Sequence, residues 1–422
     1  MLDIRFIREH PEVVKDGVLK KGENPSLVDE ALQLDEQRRQ LLQKTEALKS
    51  RKNIVSNQVA KMKAQRLDAT QVIGEMRAVA DEIKVIDDQL KTVEEGLRAL
   101  LLQIPNVPHS SVPVGKTPAD NKVLATWGHP PESDVPSLPH WDLVEKLNII
   151  DFARGTKITG AGFPVYVGKG ARLERALINF FLDEATAAGY TELMPPLMVN
   201  AASATGTGQL PDKEDQMYVA TRDEFYLVPT AEVPVTNFYR DEILQETQLP
   251  VKFCAFTPCF RREAGSYGKD VRGLNRVHQF NKVELVRLVH PSRSYEELEI
   301  MRQDAERLLQ KLGLHYRTLL MCSGDLGFTQ AKKYDLEVWA VGQQKWLEVS
   351  SISNFESYQA RRMNIRFKPE AGGKPEIVHT LNGSALALPR VVAAIIEQYQ
   401  TPEGKVIVPK VLHEYTGFEV IG

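Results

Sequence analysis

From Leu27 onward the sequence places an apolar residue at every seventh position, through Leu34, Leu41, Leu48, Val55 and Met62. After a polar break at residues 65–70 a second series follows: Val72, Met76, Val79, Ile83, Ile86, Leu90, Val93, Leu97, Leu100 and Ile104, with strict four-three spacing. An apolar stripe that recurs every 3.5 residues stays on one seam of a helix only if that helix supercoils, left-handed, around a partner. Two such series of similar length flanking a short break predict an antiparallel helical hairpin, each helix roughly 55 Å long at a rise of 1.5 Å per residue. An arm of that shape is too narrow to hold a pocket. Its role must be reach and surface contact.

Charge is unevenly spread along this arm. Nine basic residues (Arg38, Arg39, Lys44, Lys49, Arg51, Lys52, Lys61, Lys63 and Arg66) stand between positions 38 and 66 against one acid, Glu46, whereas the returning helix is rich in acids. Taken alone, the basic face has two readings: a solvated surface paired with the acidic helix, or a surface for nucleic-acid phosphates. The whole chain carries a formal net charge of -3, so nucleic-acid contact has to come from a local patch. No apolar run has the length of a signal peptide or a membrane span, and a cytosolic protein without a membrane partner is expected. The three cysteines, Cys254, Cys259 and Cys322, form no C-x-x-C pair and have no histidine at zinc-finger spacing, so neither disulfides nor zinc is expected. Cys259 reads as a small buried strand residue rather than a nucleophile.

Residues 105–139 hold eight of the 24 prolines, a density that opposes helix and central strand alike. They read as a linker between an N-terminal arm domain, 1–104, and a body, 140–422. In the body, helices such as ARLERALINFFLDEATAAG alternate with strands set close together by short turns, and the alternation of LEVWAVGQQKWLEVSS predicts a hairpin. The expected fold class is α+β, a mainly antiparallel sheet flanked by helices behind a coiled-coil hairpin. No GxGxxG leads from strand to helix and no GxxxxGK[ST] occurs, which excludes the Rossmann and P-loop readings.

The chemistry concentrates between Thr257 and Glu284. The run VKFCAFTPCF ends in Arg261, Arg262 and Glu263, and RVHQFNKVELVRLV returns after a glycine-rich loop holding Gly265, Gly268 and Gly273. With a period of two, Arg261 and Glu263 share one face of the outgoing strand and Arg262 points the other way; Phe280, Lys282 and Glu284 share one face of the return strand. That row supplies a guanidinium for a phosphate, a carboxylate for an exocyclic amine, an aromatic plate for a purine and a second carboxylate for an ammonium or hydroxyl.

FRREAGSYGKDVRGLNRVHQFNKVE resembles motif 2 of the class II aminoacyl-tRNA synthetases, and within that class the seryl-tRNA synthetase family. ALINFFLDEATAAGYTELMPPLMV, with Pro196, resembles motif 1, which in the class forms the dimer interface. TLNGSALALPRVVAAIIEQYQ resembles motif 3, with Ala385 and Pro389 where the family often has small, glycine-like residues. Pro389 suits a first helical turn, and Arg390 then sits at a helix N-terminus that favours phosphate. LVPTAEVPVTN resembles the serine-binding segment, its Thr230, Ala231 and Glu232 matching Thr-Ala-Glu. The resemblance spans essentially the whole chain.

The resemblance implies a homodimeric serine–tRNA ligase that joins L-serine to ATP, with Mg²⁺, and passes the seryl group to tRNA(Ser), or to tRNA(Sec) where an organism has one. A paralogue charging another acceptor is the alternative. By match to the family, Arg261 bridges the serine carboxylate and the α-phosphate, Arg262 and Glu263 belong to the ATP site, Phe280 stacks on adenine and Arg390 holds the γ-phosphate. Glu348, Val349, Ser350 and Ser351 line the ATP site, and Glu348 and Ser351 match the metal-holding positions. Thr230, Glu232, Glu284, Asn382 and Ser384 are the serine contacts. Glu284 and Ser384 are candidates for the hydroxyl and Thr230 and Glu232 for the ammonium, and the pairings are interchangeable at this stage. The basic arm residues Arg38 to Lys63 are the tRNA contacts that the resemblance implies.

Overall fold

The computed structural model describes residues 1–131, 136–263 and 272–422. The chain divides into two compact units, residues 1–19 with 23–105, and residues 20–22 with 106–422. Part of the glycine-rich loop, including Gly265 and Gly268, lies outside the described residues.

The first unit is built on two long helices, α1 (Ser26–Ala64) and α2 (Thr70–Leu101). At 1.5 Å per residue they extend about 58 and 48 Å. They run antiparallel: Leu34 faces Gly96 near one end, and the Ser56 hydroxyl meets the Met76 sulfur near the other. Arg66 takes a positive φ of 56° in the reversal, and the Asp68 carboxylate accepts the Thr70 N–H at 2.9 Å to start the return helix. The Thr70 hydroxyl, donating to the same carboxylate at 2.6 Å, and that N–H hold the Asp68 carboxyl below its usual range. Val79, Ile83, Ile86 and Leu97 are buried along the return seam.

On α1 the buried and half-buried positions follow four-three spacing through Leu34, Arg38, Leu41, Thr45, Leu48, Lys52, Val55, Val59 and Met62. Arg38 and Lys52 therefore occupy seam positions. The long aliphatic stems of such residues cover apolar neighbours while the charged ends reach outward. Asp35, buried at 1% exposure, collects Arg8 at 2.9 Å, Arg38 at 2.8 Å and Arg39 at 3.3 Å.

In the second unit an eight-stranded sheet carries the fold. Its strands are β1 (Lys122–Trp127), β2 (Thr191–Glu192), β3 (Val251–Phe260), β4 (Gln279–Val289), β5 (Tyr316–Leu320), β6 (Lys332–Ala340), β7 (Lys345–Asn354) and β8 (His379–Ala387). Their spatial order is β1-β5-β6-β7-β8-β4-β3-β2. Every pairing is antiparallel except β2 with β3 at one edge. The expected hairpin is β6 to β7, with Trp339 opposite Trp346.

Helices α3 (Lys169–Ala187), α4 (Ser294–Lys311) and α5 (Leu388–Gln398) contribute to one core on a single face of this sheet. Leu173, Leu177, Phe180 and Phe181 form the buried stripe of α3, the i, i+4, i+7, i+8 pattern of an amphipathic helix. Along β4, Val283 and Leu285 enter that core while Lys282 and Glu284 turn to the opposite face. The sheet thus keeps its main core on one face and carries Lys282 and Glu284 on the other.

The segment expected to be only a linker does more. KVLATW within it is the edge strand β1, paired antiparallel with β5. Its prolines fall outside that six-residue stretch, so no ladder donor is missing. Among the described residues no helix is long and apolar enough to cross a membrane.

Candidate active site

The open face of the sheet forms a cleft of about 480 Å³, lined from β4, β7, β8, the start of α5 and the segments around residues 209–232 and 327–333. The antiparallel register of β3 and β4 sets Phe280 opposite Cys259, Lys282 opposite Thr257 and Glu284 opposite Ala255. Arg261, Glu263, Phe280, Lys282 and Glu284 all line the cleft, and Arg262 is exposed outside it. The groups expected from a period of two thus line one cleft, with Arg262 turned out of that lining. Cys259 is fully buried and burial pushes its thiol up, as suits a packing residue.

Arg261 lies with its guanidinium carbon 5.1 Å from the centre of the Phe280 ring, and its Nε donates to the Pro229 carbonyl at 3.3 Å. With Nε engaged, the two terminal nitrogens are what remain for a ligand. Glu263 has a positive φ of 47° just past the strand end and pairs with Arg276 at 3.0 Å.

A second cluster lies deeper. Glu284, 1% exposed, accepts from the Thr230 hydroxyl at 3.1 Å and from the Asn382 amide at 3.2 Å, and Lys282 closes on the same carboxylate as an ion pair. The Thr230 hydroxyl in turn accepts the Glu232 N–H at 3.2 Å. Glu232 is buried, and burial, then the charge of Glu284, push its carboxyl above the usual range. Gln359 donates to Glu232 at 2.7 Å while its own oxygen takes the Thr380 hydroxyl at 2.8 Å. Two buried carboxylates held apart by a threonine and an amide make a small, acceptor-rich pocket suited to an ammonium and a hydroxyl. Between Thr230 and Glu232, the Ala231 side chain packs with Val235, Phe253, Ala255 and Val286.

The third group sits on β7 and α5. Glu348, Val349, Ser350, Ser351 and Ser384 line the cleft, and Ser350 donates to the Ser384 carbonyl at 2.7 Å. Behind Ser351, across the β6–β7 ladder, stands Asp335. Burial, then the charge of Glu348, push its carboxyl up to about 7, and its Oδ1 has no hydrogen-bond partner among the described residues.

Arg390 enters at the first turn of α5, after Pro389. Its Nε donates to the Asn275 carbonyl at 2.9 Å and its Nη1 to the Glu348 carbonyl at 2.8 Å. Between Glu284↔Ser384 and Lys282↔Ala387 the pairing slips, and Leu386, in the slip, has a φ of +71°. A buried leucine with positive φ is a strained choice. The bulge it permits carries the chain from the sheet into α5 with Ala385 and Pro389 in place.

Sequence reasoning missed Lys213, Gln216, Asn275, Gln330 and Lys333, which also line the cleft. It missed Asp335 and Gln359 behind it as well. Lys333 and Asp335 were findable, since β6 alternates and the two share one face; Lys213, Asn275 and Gln330 lie outside helices and strands, where no period operates.

On the arm, Arg38 and Arg39 are engaged by Asp35, Arg39 also by Glu36, and Lys49 approaches Asp87 at 3.5 Å. Lys44, Arg51, Lys61 and Lys63 are exposed and Lys52 is half-buried. Of these three, only Lys49 thus pairs with the acidic return helix, whereas Arg38 and Arg39 pair with acids of their own helix.

Comparison with known proteins follows the same outline. A family model described as the seryl-tRNA synthetase N-terminal domain matches residues 1–108, and one described as the tRNA synthetase class II core domain (G, H, P, S and T) matches residues 217–399. The serine–tRNA ligase of Salinibacter ruber is 54% identical over 425 residues, covering 100% of this chain and 99% of that protein. The seryl-tRNA synthetase of Pyrococcus horikoshii, solved in complex with ATP, has a TM-score of 0.95 at 37% identity, covering 100% of this chain and 99% of that one. The cytoplasmic serine–tRNA ligase of Naegleria fowleri, in complex with AMP, has a TM-score of 0.90 at 30% identity, covering 100% and 98%.

Proposed function

The chain belongs to the seryl-tRNA synthetase family, and from that premise we propose that it is a serine–tRNA ligase whose two steps divide between the cleft and the arm. In the first, the serine carboxylate attacks the α-phosphorus of ATP and pyrophosphate leaves, giving seryl-adenylate. In the second, a ribose hydroxyl at the tRNA 3′ end takes the acyl group and AMP leaves. The observation that carries this reading is one wall on which Arg261 and Phe280 adjoin the Glu284–Thr230–Asn382 cluster.

The first step brings a carboxylate toward an anionic phosphate, so the protein must cancel charge and fix geometry. The fork of Arg261 would span the serine carboxylate and the α-phosphate, Phe280 would carry the adenine, and Glu263 would accept from its amino group. Arg390 would hold the γ-phosphate. Its two carbonyl anchors fix the plane of the guanidinium in advance, which lowers the ordering cost of binding.

The serine pocket would read the side-chain hydroxyl through Glu284 and Ser384 and the ammonium through Glu232 and Thr230. An alanine substrate would leave those buried groups unpaired, and threonine would bring an extra methyl into a cluster already closed by hydrogen bonds. Glu348 and Ser351 offer oxygen donors of the kind a hard cation takes, and the orphaned Oδ1 of Asp335 beside them fits a Mg²⁺ that arrives with ATP. When bound, that ion supplies further neutralisation of phosphate charge.

The exposed cations Lys44, Arg51, Lys61 and Lys63, with Lys52 and Arg66, would meet the tRNA backbone by charge and shape. The substrate would be tRNA(Ser), and tRNA(Sec) where one exists. Met194, 93% exposed, with Leu197 and Met198 nearby in the stretch after α3, suits a homodimer through the motif 1 region. Cytoplasmic localisation goes with this work. The test is separability: replacing residues 27–104 by a short joint should leave serine-dependent ATP–pyrophosphate exchange within about threefold while tRNA charging falls by at least about a hundredfold. Loss of both activities together in a folded variant would refute the division.

A further inference from the structure

We propose that His140 and Glu397, which lie outside the cleft, are positioning residues for Arg390 and hence for the triphosphate. The proposal rests on the reading of Arg390 as the γ-phosphate residue. Both side chains are 0% exposed. The Glu397 carboxylate accepts five hydrogen bonds. Its Oε1 takes the His140 N–H at 3.0 Å, His140 Nδ1 at 2.8 Å and Gln343 Nε2 at 2.6 Å, and its Oε2 takes the Gly342 and Gln343 N–H groups at 2.8 and 3.3 Å. A carboxylate with that many donors has one permitted orientation.

From this anchor two chains of hydrogen bonds reach adjacent residues, Leu274 and Asn275. In one, His140 Nε2 accepts the Leu274 N–H at 2.9 Å, which fixes the tautomer with the proton on Nδ1 toward Glu397. In the other, Gln343 Oε1 accepts from the Asn275 amide at 2.8 Å. The Asn275 carbonyl is the acceptor that holds Arg390 Nε. Glu397 and Arg390 lie seven residues apart on α5, two turns along one face. The helix therefore grips the segment leading into β4 from both of its own ends, and Leu274–Asn275 is clamped between them.

Gly273 gives independent support. Its φ is +65°, and a Cβ there would stand 2.3 Å from His140 Nε2. The backbone approaches the imidazole as closely as it does only because that residue has no side chain. Nothing in this constellation touches the cleft through the histidine itself, since Leu274 and Asn275 line it instead.

The decisive comparison is between His140→Asn and His140→Gln. The shorter amide can still donate to Glu397 but falls short of Leu274, whereas the longer one can place its oxygen near the position of Nε2. Misplacing a positioned catalytic group by about 1 Å costs on the order of a hundredfold, so His140→Asn is expected to raise the KM for ATP about tenfold or more in pyrophosphate exchange. The KM for serine should stay within about twofold, and His140→Gln should recover most of the ATP affinity. Combined with Arg390→Ala, His140→Asn should add less than about threefold, because both act on one contact.

Each failure points to a different premise. If Arg390→Ala alone leaves the KM for ATP unchanged, the γ-phosphate reading fails. If Arg390→Ala is severe but His140→Asn multiplies it in full, the positioning role is overturned while Arg390 keeps its own. Equal losses for ATP and serine, or identical behaviour of the Asn and Gln variants at matched melting temperature, would also overturn it and leave the pair as packing.

Discussion

Arg261→Ala removes the guanidinium that stands beside Phe280 in the cleft. Its Nε is held by Pro229 at 3.3 Å, its plane lies over Phe280, and its neighbour Arg262 points out of the cleft. A preorganised donor aimed at charge that develops in the transition state is worth about 3–4 kcal/mol, which is a 10²–10³-fold effect on rate. Serine-dependent ATP–pyrophosphate exchange should fall by that factor, mainly in kcat. Arg261→Lys should recover only about tenfold, because an ammonium keeps the charge but loses the planar fork and the bond to Pro229. Arg262→Ala should stay within about threefold of the unaltered protein, as expected for an exposed side chain away from the reacting groups. An Arg261→Ala protein with near-normal exchange, or an Arg262→Ala protein with the larger defect, would refute the face assignment on which the site is built.

Three further outcomes follow from particular contacts. Replacing Arg51, Lys61 and Lys63 together by Gln should weaken tRNA binding and reduce the slope of log K against log salt by about 0.7–0.9 for each cation that meets a phosphate. Arg39→Gln with Lys49→Gln should lower the melting temperature and leave that slope alone, since those residues pair with acids of the arm itself. Glu284→Gln cannot accept from Thr230 and Asn382 and also balance the buried Lys282. Serine kcat/KM should fall, and the preference for serine over alanine should narrow by at least about tenfold, measured by exchange with each amino acid.

Glu174, 5% exposed on α3, has one carboxylate oxygen without a hydrogen-bond partner among the described residues, and burial pushes its carboxyl up to about 8. A carboxyl that binds its proton more tightly when folded contributes stability at low pH that is lost as pH rises from the unfolded value near 4.3 through 8. Glu174→Gln should therefore gain on the unaltered protein across that window, by about 3–5 kcal/mol at its upper end. Denaturant unfolding of both proteins at pH 5 and pH 8, at one protomer concentration, reads the difference. An equal gap at the two pH values would contradict it.

Much of the architecture was legible because periodicity is physical. The return seam from Val72 to Ile104 is apolar at every four-three step, so the helix and its buried face follow directly. The first helix was read only at every seventh residue, because Arg38, Thr45 and Lys52 interrupt the apolar series at the intervening seam positions. Thr45 is buried there and Arg38 and Lys52 are half-buried, so a count of charges along the run overstates its exposed basic face. Lys282 and Glu284 were placed by alternation alone. Asp335, Gln359 and the Glu397 network were not, since they act from behind the cleft, through hydrogen bonds between segments far apart in sequence. Strand β1 was obscured by surrounding prolines that lie outside its ladder.

The central claim is that this cleft activates serine and rejects its near neighbours, and amino-acid-dependent ATP–pyrophosphate exchange tests it most directly. With serine, threonine, alanine and glycine supplied in turn to the full-length protein, with Mg²⁺ and ATP, serine alone should support rapid exchange. Alanine should fall short by about 10⁴-fold, because a site built to pair a hydroxyl leaves its own groups unmet without one. Exchange with threonine or alanine equal to that with serine, or no exchange with serine at all, would contradict the account.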